Sequence, residues 1–354
     1  MITRLLCTLA LVACAWAVPV RAFTPENGFY WNPAEPGPGY NIEIQDNFLA
    51  LTVYTFAANG QATWFTSAGL MQGNSQYSGN LDAFTGGQCL GCNYTPTVPS
   101  LGAGGPVSIN FTSETRGTMT LGGRTIPIER FDYFLTRTAG DVKSEMMLGE
   151  WQLVLDLYNR RNIDASYADF PYYGDIVVFD AVDRNENPDL FTGCRPTSSL
   201  ANPPCDAASR LAHDAAGFYS ATDGEHVIVV KDSTGSGTTA NVYLAYYVVT
   251  GTNQFDGVFE ICEQDQCGAA NASLYPVRGF RSASRSFVQT GTGPSNDAKA
   301  RGVPTSGLYA RLLGADGKLP QGMSAAEVKA AHGIDVEALA PQANALIRTM
   351  QSQQ

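Results

Sequence analysis

Short stretches in which apolar and polar residues alternate recur along most of this chain, separated by turns rich in glycine and proline. In the first half they include Tyr40–Gln45, Phe48–Phe56 and Thr63–Ala68, with Asn59-Gly60 as a turn before the last of them. A period of two places successive side chains on opposite faces, as in an antiparallel strand with one buried face. We therefore predict a mainly β fold, made of antiparallel β-sandwich or small-barrel domains.

A lapse in this alternation divides the chain near residue 140. Between Thr138 and Leu148 charged residues interrupt the apolar pattern, and strands resume at Trp151. Because a chain of 354 residues exceeds the usual size of one core, we predict two β domains, over residues 23–140 and 148–295.

Helical signals are concentrated at the C-terminus. Ser324 and Glu327 have the spacing of a capping box, and Gly333 is a suitable helix stop. A further helix is predicted over Pro341–Met350, which gives a short helical tail over residues 320–352 that docks on the body or serves as a contact surface. One more short helix is predicted over Ala207–Ala216, with Asp206 as its N-cap.

The N-terminus has the organisation of a secretory signal peptide. Arg4 precedes an apolar run, and small residues surround a cleavage point after Ala22. Residues 1–22 are therefore predicted to be removed on export, which makes the mature protein secreted or periplasmic. The alternative is a lipobox at 11–14, which would anchor the protein to a membrane through Cys14. No later segment reaches the about 18 continuous apolar residues of a membrane span.

Six cysteines remain after residue 22, and they form three close pairs: Cys89 with Cys92, Cys194 with Cys205, and Cys262 with Cys267. In an oxidising compartment this spacing predicts three local disulfides. The first pair lies in a stretch, Thr85–Pro106, whose glycines and prolines predict a long loop. Redox chemistry and half of a zinc site are the alternatives for this CxxC spacing, but the chain has no second CxxC.

The charge of the chain excludes one class of partner. The formal net charge is −11, and it becomes −13 when Arg4 and Arg21 leave with the signal segment. Binding to phosphate backbones requires clustered Lys and Arg, so nucleic acid is not a predicted partner.

Catalytic motifs are missing from the sequence. The three histidines, His213, His226 and His332, lie far apart, and there is no G-x-S-x-G elbow, phosphate-binding loop or dinucleotide fingerprint. We therefore predict no catalytic residues. The alternative is a glycosidase-like carboxylate pair, which would have to come from widely separated residues. The candidates are Glu35, Glu43, Glu129, Asp132 and Glu150.

One polar stretch has the alternate oxygen ligands of a calcium loop. They are Asp183, Asn185, Asn187 and Asp189. Pro188 stands where an EF-hand has its sharp-turn glycine, and Cys194 stands where the bidentate glutamate belongs. The alternative is a polar loop stabilised by Asx turns. No other cofactor is predicted.

The most distinctive motif is aromatic and rich in glycine and proline. It runs from Gly28 to Tyr40 as GFYWNPAEPGPGY, and a Tyr-rich strand, the Asn59-Gly60 turn and Thr63-Trp64-Phe65 follow. This run resembles the signature of a family of uncharacterised secreted proteins of Gram-negative bacteria, although Ala62 replaces the expected proline. The resemblance is strong over residues 28–69 and covers the N-terminal domain only. It implies a fold and a location, and no activity.

Two interpretations of the motif's aromatic side chains remain open. They could fill the centre of a small barrel, or they could line a concave site for a sugar or another small ligand, with Glu35 as polar anchor. The residues of that predicted site are Tyr30, Trp31, Glu35, Tyr40, Tyr54 and Trp64.

These observations favour a secreted, non-enzymatic binding or surface-interaction protein with a carbohydrate or small-molecule ligand. The main alternative is a secreted hydrolase of glycosidic or ester bonds with an unrecognised active site. A third hypothesis is an envelope-associated structural protein whose helical tail recruits a partner.

Overall fold

The fold is that of a computed structural model. It describes residues 23–132, 142–157, 172–197, 204–232, 242–291, 309, 312 and 319–352. The predicted signal segment and the predicted boundary near residue 140 lie outside these ranges. The chain divides into two compact units, Ala22–Arg137 and Thr138–Gln354. Each unit contains an eight-stranded antiparallel sheet closed into a barrel, which confirms the mainly β prediction and selects barrels over sandwiches.

The first barrel follows the chain, so that each strand pairs with its neighbours in sequence. Its strands are β1 (Gly28–Trp31), β2 (Gly39–Gln45), β3 (Phe48–Phe56), β4 (Ala62–Leu70), β5 (Gln76–Gly86), β6 (Thr97–Phe111), β7 (Arg116–Leu121) and β8 (Arg124–Arg130). β1 closes the barrel by pairing with β8, with Tyr30 opposite Arg130 and Trp31 opposite Glu129.

Side chains fill the interior of this first barrel, as expected for eight strands. Ile42, Leu51 and Met119 are fully buried among the aromatic rings of β1, β2 and β5. The buried hydroxyls are satisfied, because Tyr30 donates to the Glu26 carbonyl at 2.7 Å, and Ser67 and Tyr77 share a hydrogen bond of 2.6 Å.

The loop predicted over Thr85–Pro106 is wrong. β5 and β6 continue through it as a long hairpin, with Gly86 opposite Thr97, and Cys89 and Cys92 lie at its tip. The glycines and prolines of this stretch predicted a loop. The hydrogen bonds between paired strands are made by backbone groups, however, so this stretch can form them. Gly104 shows why one glycine is needed, since a Cβ there would lie 2.7 Å from the Leu81 Cβ and 2.8 Å from the Phe65 ring.

The second unit surrounds its barrel with helices. Its strands are β9 (Gly149–Asp156), β10 (Tyr172–Asp183), β11 (Leu190–Cys194), β12 (Asp214–Ser220), β13 (Glu225–Asp232), β14 (Val242–Thr250), β15 (Gln254–Glu263) and β16 (Leu274–Ala283). Its helices are α1 (Val142–Met146), α2 (Ala207–His213), α3 (Arg285–Thr290), α4 (Ala325–His332) and α5 (Val336–Ser352). β9 closes this barrel by pairing with both β10 and β16.

The second barrel is buried on both faces of several strands. Its interior packs around Trp151, Phe179 and Phe259. Outside it, α5 covers the outward side chains of β12–β15, and Leu339 and Ile347 are fully buried there. Burial on both faces explains the continuous apolar runs of β13 and β14, which differ from the alternation in the first barrel.

The predicted helix caps are confirmed, whereas the predicted bounds of two helices are corrected. Asp206 caps α2 by accepting from the Ser209 amide, and Ser324 forms the predicted capping box of α4 with Glu327. α2 is three residues shorter than predicted, because β12 begins at Asp214. α5 begins at Val336, which places Pro341 inside the helix and corrects the predicted start at the proline.

The three predicted cysteine pairs are disulfide-bonded, with Cα–Cα distances of 5.1, 5.6 and 4.9 Å in chain order. Among the described residues, no helix combines the length and the apolar character needed to cross a membrane.

Candidate functional site

The six residues of the predicted aromatic site do not share one cleft. Tyr30 and Tyr40 are cross-strand partners that point into the barrel, with exposures of 0% and 3%. Tyr54 and Trp64 are cross-strand partners that point outward and remain 48% and 43% exposed. Since neighbouring residues of a strand face opposite sides, the motif divides between core and surface. The prediction of a concave site formed by all six residues is wrong.

Glu35 does not serve as the polar anchor of an aromatic cleft. Its carboxylate accepts from the Arg124 guanidinium at 2.7 Å, and both side chains are largely exposed. An exposed ion pair of this kind contributes about 0–1 kcal/mol to stability. Inside the barrel, burial raises the pKa of Tyr40, with the negative charge of Glu35 as a smaller cause.

The outer surface of the first barrel carries a continuous series of aromatic rings, which we call the aromatic row. Its members are Trp31, Phe131, Phe29, Tyr54, Trp64 and Phe84, in spatial order. Trp64 stacks on Phe84 with ring centroids 4.8 Å apart and planes 13° apart, and Phe29 stacks on Tyr54 at 6.3 Å. Tyr54 and Trp64 link the two stacked pairs because they are directly opposite on β3 and β4.

Gly39 allows the aromatic row to cross β2. A Cβ at this position would lie 1.9 Å from the Phe29 Cζ atom, so the Phe29 ring lies directly over the glycine backbone. The Phe29 ring of β1 thereby passes over β2 and stacks on the Tyr54 ring of β3. Gly39, the third glycine of the sequence motif, is therefore needed because it admits an aromatic ring on the outside of the sheet.

The surface around the aromatic row is uncharged along two whole strands. The outward residues of β3 and β4 are Phe48, Ala50, Thr52, Tyr54 and Phe56, and Ala62, Trp64, Thr66, Ala68 and Leu70. The solvent-facing side of antiparallel strands usually carries polar side chains. A contiguous exposed apolar face of this size is typical of an interaction site.

The predicted calcium loop forms an Asx turn instead. The Asp183 Oδ1 atom accepts from the backbone and side-chain nitrogens of Asn185, both at 2.9 Å. The Asp189 carboxylate pairs with Arg184 at 2.9 Å, and Arg184 also pairs with Glu145. The Arg184 guanidinium thus pairs with one of the four predicted calcium ligands. The Asx turn and the ion pair therefore favour the polar-loop alternative for Asp183, Asn185, Asn187 and Asp189.

A buried charge cluster inside the second barrel was not predicted. Arg195 is 1% exposed and donates to Asp175 at 2.8 Å and to Asp232. Tyr246 lies within interacting distance, and burial raises its pKa strongly. Buried ion pairs such as these are satisfied structural units. In the sequence, Arg195 lies 20 positions from Asp175 and 37 positions from Asp232. No sequence motif relates residues at these separations.

Three of the five candidate carboxylates of the hydrolase hypothesis are engaged in separate contacts. Glu35 pairs with Arg124, Asp132 with Arg130 at 3.2 Å, and Glu150 accepts from Ser282 at 2.9 Å. Within the described ranges, one grouping of three potential metal ligands occurs, at Glu260, Cys262 and Cys267. The two sulfur atoms of that grouping are joined in a disulfide and are not thiolate ligands.

Comparisons with known proteins leave the function open. No protein-family model matches the chain, and no curated protein matches it. A solved structure from Nostoc punctiforme, a protein with unknown function from the DUF3598 family, is 10% identical. The alignment covers 73% of this chain and 96% of that chain, with a TM-score of 0.14. A likeness at that level carries no argument about fold or function.

Proposed function

We propose that this chain is an exported, non-enzymatic binding protein that uses the aromatic row to bind a carbohydrate chain. The observation that carries the proposal is the row itself, in which Phe29, Tyr54 and Trp64 remain 38–48% exposed, the last two on the uncharged outward face of β3 and β4. Exposed aromatic rings that no core requires are costly in water, and proteins keep such patches at sites of interaction.

The shape of the aromatic row supports a long, flat ligand. The rings follow one another across β1, β3, β4 and β5 instead of converging on a pocket. Ring faces offer apolar area with a negative centre, which suits the C–H faces of sugars. A polysaccharide presents such faces repeatedly, whereas a small metabolite would contact only one or two rings.

The charge of the protein supports a neutral glycan over an acidic one. The net charge, −11 for the full chain and −13 without residues 1–22, repels polyanions at long range. Export is part of the proposal and is supported by the signal-like residues 1–22 and by the disulfides.

The test is affinity electrophoresis of the oxidised protein in gels that contain neutral polysaccharides such as xylan, mixed-linkage glucan or starch. We expect retardation in at least one gel, and we expect Trp64→Ala to weaken binding about threefold to tenfold, corresponding to the loss of one aromatic contact. Phe48→Ala is the matched control, because Phe48 is 47% exposed on the neighbouring strand β3, on the same face of the sheet, but lies at the other end of the β3–β4 pair.

A finding that none of the neutral polysaccharides retards the protein would contradict the proposal. It would also do so if Phe48→Ala weakened binding as much as Trp64→Ala, since the contact would then not involve the aromatic row. Circular dichroism of each variant distinguishes lost binding from lost fold.

A further inference from the structure

The second unit contains a cleft of about 460 Å³ beside α5. One wall is the turn after β12, a second is the loop between β10 and β11, and the third is the exposed side of α5. Clefts of roughly 300–1,000 Å³ are the usual size for a small-molecule site. This cleft belongs entirely to the second unit and is independent of the aromatic row.

The floor of the cleft is apolar. Leu190, Phe218 and Leu346 form it, and Phe218 and Leu346 are 7% and 4% exposed. Pro188 and Ala345 continue this apolar surface up two of the walls. A ligand that fits here gains free energy by burying a hydrocarbon or aromatic body.

Three polar side chains of the cleft, Ser220, Gln342 and Thr349, donate their hydrogens to partners within the protein. Ser220 Oγ donates to Asp223 Oδ2 at 2.5 Å, and Thr349 Oγ1 donates to the Ala345 carbonyl at 3.2 Å. Gln342 Nε2 donates to Asp223 Oδ2 at 3.1 Å and to the Ala338 carbonyl at 3.2 Å. Both of those partners are acceptors only, so the orientation of the Gln342 amide follows from its contacts.

These groups can still accept hydrogen bonds from a ligand. The hydroxyl oxygens of Ser220 and Thr349 retain lone pairs, and the Gln342 Oε1 atom is an acceptor. The Glu186 carboxylate, exposed on the rim, adds a negative charge. Among the described residues that line the cleft, none is Lys, Arg or His.

We propose that this cleft binds a small organic cation, with an ammonium group at the acceptor-rich rim and an apolar body on the floor. An ammonium group brings up to three donors and a positive charge, which complements surplus acceptors and the charge of Glu186. A carboxylate or phosphate ligand would face unpaired acceptors and a like charge, both of which oppose binding.

The experiment compares three probes of one shape, 4-phenylbutylamine, 4-phenylbutan-1-ol and 4-phenylbutyrate, by calorimetry and ligand-observed NMR on the full chain. We expect saturable binding of the amine, weaker binding of the alcohol, and an affinity for the acid that is roughly tenfold or more below that of the amine. Glu186→Gln should weaken amine binding about fivefold, near the upper value for an exposed ion pair.

Two further variants test whether the amine binds in the cleft. Ala345→Trp places a large ring in the cleft from an exposed position and should abolish binding of the amine. Glu263→Gln removes an exposed carboxylate of the same unit that does not line the cleft and should leave binding unchanged. Equal affinity for the acid and the amine would overturn the proposal. So would an absence of saturable amine binding, or unchanged binding in both Glu186→Gln and Ala345→Trp.

Discussion

Glu260 is a carboxylate buried beneath the C-terminal helix, where its contacts determine its protonation. It is 1% exposed on β15, accepts from the Tyr247 hydroxyl at 2.6 Å and accepts from the Gly268 amide at 2.9 Å. Burial raises the pKa of Glu260, and the two hydrogen bonds offset part of that rise. The folded state therefore holds the Glu260 proton more tightly than the unfolded state does.

This shift predicts a pH-dependent contribution to stability. A raised carboxyl pKa stabilises the fold fully below the unfolded pKa of about 4.3, and that contribution is lost as pH rises through the folded pKa. The unfolding free energy of the wild type relative to Glu260→Gln should therefore fall as the pH rises above about 4.3. Urea unfolding of both proteins across a range of pH above this value measures it.

Glu263→Gln is the control for the Glu260 experiment, because Glu263 is exposed three residues along the same strand. Its difference from the wild type should stay nearly constant over the same range. A difference for Glu260→Gln that is flat, or that rises with pH, would be inconsistent with a carboxyl whose pKa is raised by burial.

At the scale of elements, α5 stabilises the second barrel by covering its outer apolar face. Val336, Leu339, Ala343 and Ile347 are buried on one side of the helix against β12–β15. A helix with one apolar stripe gains most of its stability from such packing and little from its own propensity.

Truncation within the buried stripe of α5 should therefore be costly. We expect Leu339→Ala to lower the free energy of unfolding by about 2–5 kcal/mol, because it removes buried methyl groups and leaves a cavity. The exposed neighbour change Ala338→Ser should cost about 0.5 kcal/mol or less. Chemical denaturation, monitored by a signal from the second unit, measures both effects. Equal effects of the two changes would show that the helix is not packed as described.

At the scale of the whole molecule, each barrel closes with strands from its own segment. β1 pairs with β8, so every strand of the first barrel has both its neighbours between Gly28 and Arg130. A closed sheet with its own buried core has what a domain needs to fold alone.

We accordingly expect a fragment of residues 23–137 to fold without the second unit. It should give dispersed amide NMR signals and a cooperative thermal transition. A fragment of residues 23–121 lacks β8 and leaves β1 and β7 each with one unpaired edge, so that the barrel cannot close, and it should lose that cooperativity. A disordered 23–137 fragment would indicate that the first barrel depends on the rest of the chain.

Much of the fold could be predicted because it depends on local physics. The alternation of Phe48–Phe56, the cap at Asp206 and the capping box at Ser324 each follow from contacts within a few residues. Elements with weak local signals were missed. β12, with Ala215, Ala216 and Gly217, has small side chains in a strand that forms only because both its neighbours pair with it.

The candidate sites were harder to predict, because they depend on which face of the sheet each residue occupies. Tyr40 and Tyr54 both belong to predicted strands, yet one is 3% exposed and the other 48%. The cleft beside α5 has no sequence signal, since its residues come from three segments and its chemistry depends on which hydrogens are already engaged.

The sequence by itself determined the β-rich class, the cysteine pairs and the helix caps, because alternation, short separations and capping act between near neighbours. Only the tertiary structure decided that both sheets close into barrels, that Arg195 meets Asp175 and Asp232, and that the aromatic residues of one motif divide between a core and an exposed row. Closure and register bring together residues far apart in the chain, and they depend on the packing of the whole sheet.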